Sequence, residues 1–260
     1  MVILGENLKK TKKGYKGTGE QVLLSSEARK QGVYIVGTTG TGKTTLLSNI
    51  IYQDMLAGEG LCVIDPHGDL IDDLLAIVPH HREKDVLVFA PGDPEQRKRP
   101  LGLNVLHCER DDPAQVRRVT STVIDTLHKL FSYSWGPRME DLLRNATLTL
   151  METEGTTLLD LWLLLASPRH RRRYVKEDPK TERSTLADAY LRQFWDVQFR
   201  GYTKSPRDLI ELVGSSLNKI GRFLADLDMR RVVAQPEPAF NLREIMDLSL
   251  IHISEPTRPY

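Results

Sequence analysis

Val33-Tyr34-Ile35-Val36-Gly37-Thr38-Thr39-Gly40-Thr41-Gly42-Lys43-Thr44-Thr45 is the stretch on which the fold turns. Its residues 37–44 fit the phosphate-loop pattern G-x-x-x-x-G-K-[ST], which carries meaning only between a strand and a helix. Val33-Tyr34-Ile35-Val36, β-branched and aromatic, reads as that strand. Thr45-Leu46-Leu47-Ser48-Asn49-Ile50-Ile51-Tyr52 reads as the start of an apolar helix. The chemistry explains the residue types. Glycines let the backbone turn its N–H groups inward around phosphate oxygens, and a helix N-terminus adds a favourable dipole. Lys43 is then placed to neutralise the β- and γ-phosphates, and the Thr44 hydroxyl to bind Mg²⁺. The expected nucleotide-binding set is Gly37, Thr38, Thr39, Gly40, Thr41, Gly42, Lys43, Thr44 and Thr45, holding a nucleoside triphosphate with Mg²⁺. A Gly/Thr-rich turn that matched by accident would not need both flanks.

Downstream, Gly58 and Gly60 signal a helix stop. Leu61-Cys62-Val63-Ile64 is a continuous apolar run, expected of a strand buried on both faces of a parallel sheet. It ends in Asp65-Pro66-His67-Gly68-Asp69. Ligands of open α/β sheets sit at the carboxyl ends of strands, so Asp65 is a candidate catalytic and metal-binding residue. It could be the Mg²⁺-site acid of a compact kinase-like or GTPase-like enzyme, or it could face the γ-phosphate with the main acids elsewhere. Asp69 reads as the cap of a helix over residues 70–78, and His67 as a polar turn residue without a metal partner. Val86-Leu87-Val88-Phe89 reads as another buried strand, and Leu101-Gly102-Leu103-Asn104-Val105-Leu106 as a short extended element. Strand and helix alternating at this spacing predict right-handed βαβ units and a parallel sheet, an α/β fold.

Upstream, Val2-Ile3-Leu4 and Gln21-Val22-Leu23-Leu24 are strand-like. Between them lies Lys9-Lys10-Thr11-Lys12-Lys13-Gly14-Tyr15-Lys16, which reads as a solvated hairpin tip or, less commonly, as a phosphate-backbone contact.

From Pro113 the chain turns to successive helices. Val116, Val119, Val123, Ile124, Leu127 and Phe131 share one face, and Leu142, Leu143, Ala146 and Leu150 share the next. Then come Leu158–Ala166, a charged segment over 169–183, and helices near 186–198, 206–213 and 215–227. This all-α block of about 120 residues is domain-sized. Arg169-His170-Arg171-Arg172-Arg173 reads equally as a nucleic-acid or partner contact and as a solvated face. Trp135 and Trp195 fit the core more readily than base stacking.

Composition bounds the rest. The chain has 260 residues, 40% hydrophobic and 27% charged, an ordinary globular balance. Lys plus Arg at 36 against Asp plus Glu at 35 gives a net charge of +1, so any nucleic-acid surface must be a local patch. Cys62 and Cys108 read as core or near-core residues of a reducing compartment. No apolar run reaches the ~18 residues that a bilayer requires.

Several motifs in order resemble one family. They are the loop at 37–44, the strand ending Asp65-Pro66-His67-Gly68-Asp69, and Trp135-Gly136-Pro137-Arg138. Leu217-Asn218-Lys219-Ile220-Gly221-Arg222-Phe223 and Asn241-Leu242-Arg243-Glu244-Ile245-Met246 complete the set. Together they resemble the HerA–FtsK superfamily, in particular type IV secretion or conjugative coupling-protein-like DNA translocases. The resemblance covers residues 1–247. It implies a RecA-like P-loop NTPase core with a parallel sheet, incomplete here, and an inserted all-α domain. It also implies ATP and Mg²⁺ as cofactors, DNA bound without sequence preference, and a homo-hexameric ring in the parent protein. The implied location is the bacterial cytoplasm, with inner-membrane attachment and secretion or membrane-complex partners as an open extension. By the same resemblance Asp65 lies on the second core strand and is not the main acid of the family's Asp-Glu pair.

The expected organisation is 1–112 as the first part of the core, 113–235 as the inserted domain and 236–247 as the return to the core. After it, Leu248-Ser249-Leu250-Ile251-His252-Ile253-Ser254-Glu255-Pro256-Thr257-Arg258 matches, codon for codon, a translated transposase-type sequencing adapter. Residues 248–260 are therefore set aside from fold reasoning, and His252 and Glu255 from any site. Two other functions stay open. One is the compact P-loop kinase or GTPase that uses Asp65; the other is a non-catalytic, nucleotide-switched adaptor built on the helical domain.

Overall fold

The computed structural model describes residues 1–241, 244–245 and 248–254. It divides into two compact units, residues 1–96 with 241–260 and residues 97–240. The architecture is mixed α/β, with a small parallel sheet in the first unit and helices throughout the second.

The first unit opens with an antiparallel hairpin, β1 (Val2–Thr11) and β2 (Gly14–Leu24). A short α1 (Ser26–Lys30) follows, with the Ser25 hydroxyl accepting the Ala28 N–H at 3.1 Å. After the phosphate loop come α2 (Lys43–Leu56), β3 (Leu61–Ile64), α3 (Asp69–Ala76), a 3₁₀ turn and β4 (Val86–Phe89). A short α4 (Pro94–Lys98) leads into the second unit. The last strand, β5 (Ile251–Ser254), lies between β3 and β4 and is parallel to both. Residues set aside on sequence grounds thus form the centre of the sheet. The alternation Ile251-His252-Ile253-Ser254 suits such a slot whatever its origin: Ile251 and Ile253 are fully buried against Met55 of α2 and Ile71 of α3. Burying each isoleucine contributes roughly 1.5–3 kcal/mol.

Two expectations about this sheet fail. Residues 33–36 are not a strand: they make no ladder bonds among the described residues, and Tyr34 is 91% exposed. Strand propensity supplies no partner for N–H and C=O groups, and no described strand pairs with them. Nor is β3 buried on both faces. Its Val63 is buried while Cys62 and Ile64 are exposed, because α2 and α3 cover one face only. Cys62 is therefore not a core residue, and Cys108 is half-buried.

The second unit holds α5 (Pro113–Leu130), α6 (Pro137–Met151), α7 (Leu158–Ala166), α8 (Pro168–Tyr174) and α9 (Ala189–Gln193). A π-helical segment, Phe194–Phe199, carries α9 into α10 (Arg200–Thr203), followed by α11 (Pro206–Ala225) and α12 (Leu227–Val233). Their starts are written locally. Asp112 accepts the Ala114 N–H at 2.8 Å, and Thr157 with Asp160 forms a capping box on α7. Apolar nearly all round, α7 sits at the centre and packs on α6, α8, α11 and α12. Leu161, Leu164, Leu142, Leu143 and Phe194 are among the most buried side chains. No helix among the described residues is long and apolar enough to cross a membrane.

Here too the sequence reading needs correction. Residues 206–213 and 215–227 are not separate helices. One helix of 20 residues runs through Gly214, because its buried face continues from Val213 through Ser216 to Ile220 and Leu224. That continuous burial outweighs the ~1 kcal/mol that an interior glycine costs a helix. Residues 101–106 form no strand. They make a buried strap in which Asn104 donates to the Thr156 and Pro236 carbonyls at 3.0 and 2.7 Å. Trp195 is core as expected, 3% exposed, its indole N–H on the Thr149 hydroxyl at 2.8 Å.

Candidate functional site

Three donors converge on one carbonyl oxygen in the phosphate loop. Thr38 O accepts the Thr41 hydroxyl at 2.8 Å, the Lys43 ammonium at 2.8 Å and, more weakly, the Thr41 N–H at 3.4 Å. The loop is thereby folded onto itself over a few residues. Gly37 is required by close approach, since a Cβ there would lie 2.5 Å from the Thr41 hydroxyl oxygen. Gly40 and Gly42 are left-handed, at φ +81° and +85°, with open space where a side chain would stand.

Gly42 is also the N-cap of α2, and a glycine offers the helix end no side-chain acceptor. The amides at the start of α2 are thus left to an outside anion, with the helix dipole behind them. The first intrahelical bond, Leu46 N–H to Gly42 O at 2.9 Å, shows the helix fully formed from its first turn. Thr38, Thr39, Thr44 and Thr45 are all exposed, and Lys43 is half-buried. An exposed glycine turn, the amides at an uncapped helix start, one cation and one threonine hydroxyl suit a polyphosphate with its divalent ion.

Asp65 stands immediately after β3, at the carboxyl edge of the sheet. One carboxylate oxygen accepts the His67 N–H at 3.0 Å and the other the Leu70 N–H at 2.9 Å. Asp65, not Asp69, therefore tethers the start of α3. The N-cap position itself is Gly68, because the tight turn there needs φ +85°. Each Asp65 oxygen keeps a further lone pair, so the tether does not exhaust its acceptor capacity. Among the described residues, no hydrogen bond or ion pair joins Asp65 to Lys43 or Thr44.

In the helical unit, Trp135 stacks on His128 at 5.2 Å between ring centroids and donates its indole N–H to Glu140 at 2.8 Å. That bond, helped by Arg144 at 3.0 Å, holds the Glu140 carboxyl below the usual carboxylate range. The arginine cluster of α8 divides. Arg171 lies over the Phe199 ring at 4.8 Å, and burial lowers its pKa, while Arg172 and Arg173 face solvent. Arg171 is thus a packing residue, and the cluster is not one surface.

Two arrangements were not foreseen. Arg82, buried, donates to Met55 O of α2 at 3.0 Å and to Ser249 O just before β5 at 2.7 Å, pinning strand to helix. Arg29 forks onto the buried Asp54 at 2.7 and 2.5 Å. Nothing in the sequence marks these long-range partners. From the ordered motif series, Leu242, Arg243 and Met246 lie outside the described residues, as do Asp247 and Glu255.

No curated protein matches the chain. Two solved structures that it resembles are a bacterial conjugative coupling protein, TrwBdeltaN70 in its unbound form, and the plasmid coupling protein TrwB in complex with the non-hydrolysable ATP analogue ADPNP. Identities are 18% and 17%, with a TM-score of 0.49 for each over 84% of this chain. The chain spans only 44% and 45% of those proteins. A family profile described as the type IV secretion-system coupling protein DNA-binding domain matches residues 19–181, which bears out the coupling-protein resemblance of the motif series. With more than half of its length matched, from the base of the hairpin through the phosphate loop to α8, the chain belongs to the type IV secretion-system coupling protein DNA-binding domain family.

Proposed function

We propose that this chain is the nucleotide-binding part of a motor ATPase that couples ATP hydrolysis to the movement of DNA in conjugation or type IV secretion. The phosphate-loop stretch carries the reading: Gly40 and Gly42 are left-handed, and α2 begins right after them with no side-chain cap. In this reading the amides of 37–45 hold the phosphate oxygens of ATP. Lys43 leaves the Thr38 carbonyl to neutralise the β- and γ-phosphates, and the Thr44 hydroxyl holds Mg²⁺. The bound ion would supply charge stabilisation to a transferring phosphoryl group. Asp65 has a place in that site as an outer ligand while it keeps the start of α3 in position.

DNA is the partner that the family points to, bound without sequence preference. A homo-hexamer, a RecA-like core and a cytoplasmic location beside a secretion complex belong to the same reading. Calorimetric titration with ATP·Mg²⁺ tests it. Wild type should bind and Lys43→Ala should not. Equal affinity in the two would remove the site.

A further inference from the structure

The end of the β1–β2 hairpin carries charge of one sign. Between Asn7 and Gly19 there are five lysines, Lys9, Lys10, Lys12, Lys13 and Lys16, and no acidic residue, in a chain whose net charge is +1. Among the described residues no carboxylate pairs with any of the five. The nearest acids are engaged lower in the ribbon: Glu6 accepts the Gly19 N–H, and Glu20 accepts the Asn7 amide at 3.0 Å. Lys9 and Lys16 are direct cross-strand partners. Like charges directly opposite destabilise a hairpin, and a two-stranded ribbon alone in water is already marginal.

The ribbon is held at its base, where Val2 is buried and Ile3 exchanges two hydrogen bonds with Gln53 at 2.8 and 2.9 Å. Residues 5–23 are all exposed. Its free part reaches about 20 Å, at ~3.3 Å per strand residue.

We infer that this hairpin is a phosphate-contacting arm that lays its end into a groove of duplex DNA. The major groove, about 12 Å wide, admits a two-stranded β-ribbon. Phosphates on its two walls would neutralise the Lys9–Lys16 repulsion that the protein leaves uncompensated. Register shifts between Ile3 and Gly5 and between Glu6 and Leu8 add the twist that following a groove needs. A membrane surface is the weaker partner. The turn, Thr11-Lys12-Lys13-Gly14, carries no apolar side chain to insert, and between residues 5 and 20 the large apolar side chains are one diagonal pair, Leu8 and Tyr15, too small a patch to anchor on a bilayer. The inference deepens the DNA-moving reading and rests on it. It adds DNA contacts at five lysines that precede the family match, which begins at residue 19.

The test uses the full 260-residue chain and a fluorescein-labelled duplex of about 25 base pairs, followed by anisotropy from about 50 to 200 mM salt. Replacing all five lysines by glutamine should weaken binding at least about tenfold and flatten the slope of log K against log salt by roughly 0.9 for each phosphate no longer neutralised. Replacing all five by arginine should restore both. ATP-analogue binding, unchanged in each variant, verifies that the first unit is intact. If wild type binds duplex and the glutamine variant matches it in affinity and slope, the hairpin assignment falls and the DNA reading stands. If wild type binds anionic phosphatidylserine vesicles and no duplex, both fall.

Discussion

Lys43 donates its ammonium to the Thr38 carbonyl at 2.8 Å, so the cation expected at the phosphates closes its own loop. The bond lies in an exposed loop, and truncating the lysine leaves a solvent-accessible carbonyl that still accepts the Thr41 hydroxyl. Lys43→Ala should therefore change stability by no more than about 0.5 kcal/mol. Its effect on nucleotide affinity should be far larger, a drop of roughly ten- to 150-fold for removal of one charge-assisted bond to phosphate, about 1.5–3 kcal/mol. Such a drop would reflect a missing cation at the phosphates and not a misfolded protein. Paired thermal melts and calorimetry separate the two, and a large fall in melting temperature would sink the argument.

Asp65 carries two separable roles. As the tether of α3, its loss in Asp65→Ala should cost about 0.5–2 kcal/mol, as removal of a helix-capping carboxylate does. Asp65→Asn keeps one acceptor oxygen and should lose less. If Asp65 also faces the metal, both variants should lose the increment that Mg²⁺ adds to ATP affinity. Retention of that increment in Asp65→Asn would confine the residue to the turn.

Glu140 gives a pH dependence with a definite sign. Its carboxyl is held below the ordinary value of 4.5, first by the Trp135 indole N–H and then by Arg144. A depressed carboxyl pKa stabilises the fold above the ordinary value and loses that contribution as pH falls through the lowered one. Trp135→Phe removes the first cause, so the Glu140 midpoint should rise toward 4.5 in a carbon-detected NMR titration. An unmoved midpoint would assign the shift to Arg144 alone.

The central strand should tolerate changes of identity but not of pattern. Ile253→Ala empties a fully buried site between β3 and β4 and should destabilise the first unit by about 2–5 kcal/mol. Ile251→Val with Ile253→Val keeps shape and alternation and should cost about 0.5–1.5 kcal/mol per site. Urea melts of wild type and the two variants check this, and equal midpoints would show that β5 contributes nothing to the sheet.

The turn at 37–42 and the start of α2 at Lys43 were legible in the sequence because that geometry is local: glycines, lysine and helix start lie within a few residues. The caps of α5 and α7, Asp112 and Thr157 with Asp160, are equally local, but they are structural findings and not part of the sequence reading. What failed depended on partners far along the chain. Residues 33–36 have strand propensity but no neighbour, whereas Ile251-His252-Ile253-Ser254 found two. Cys62 looked buried because β3 is apolar throughout, and only the one-sided helix layer exposes it. The exchange of roles between Asp65 and Asp69 turned on the left-handed Gly68, a backbone angle that composition does not reveal.

The strand order β3-β5-β4 also dictates a timetable. At roughly 5–20 residues per second on the ribosome, the stretch of about 160 residues after β4 takes on the order of 8–32 s to emerge before β5 can arrive. During that interval β3 and β4 exist without the strand that joins them, while the helical unit that follows is completed and free to fold. The nascent chain therefore carries open strand edges for longer than any local step of folding requires, which makes the newborn protein a natural client for chaperones that shield such edges.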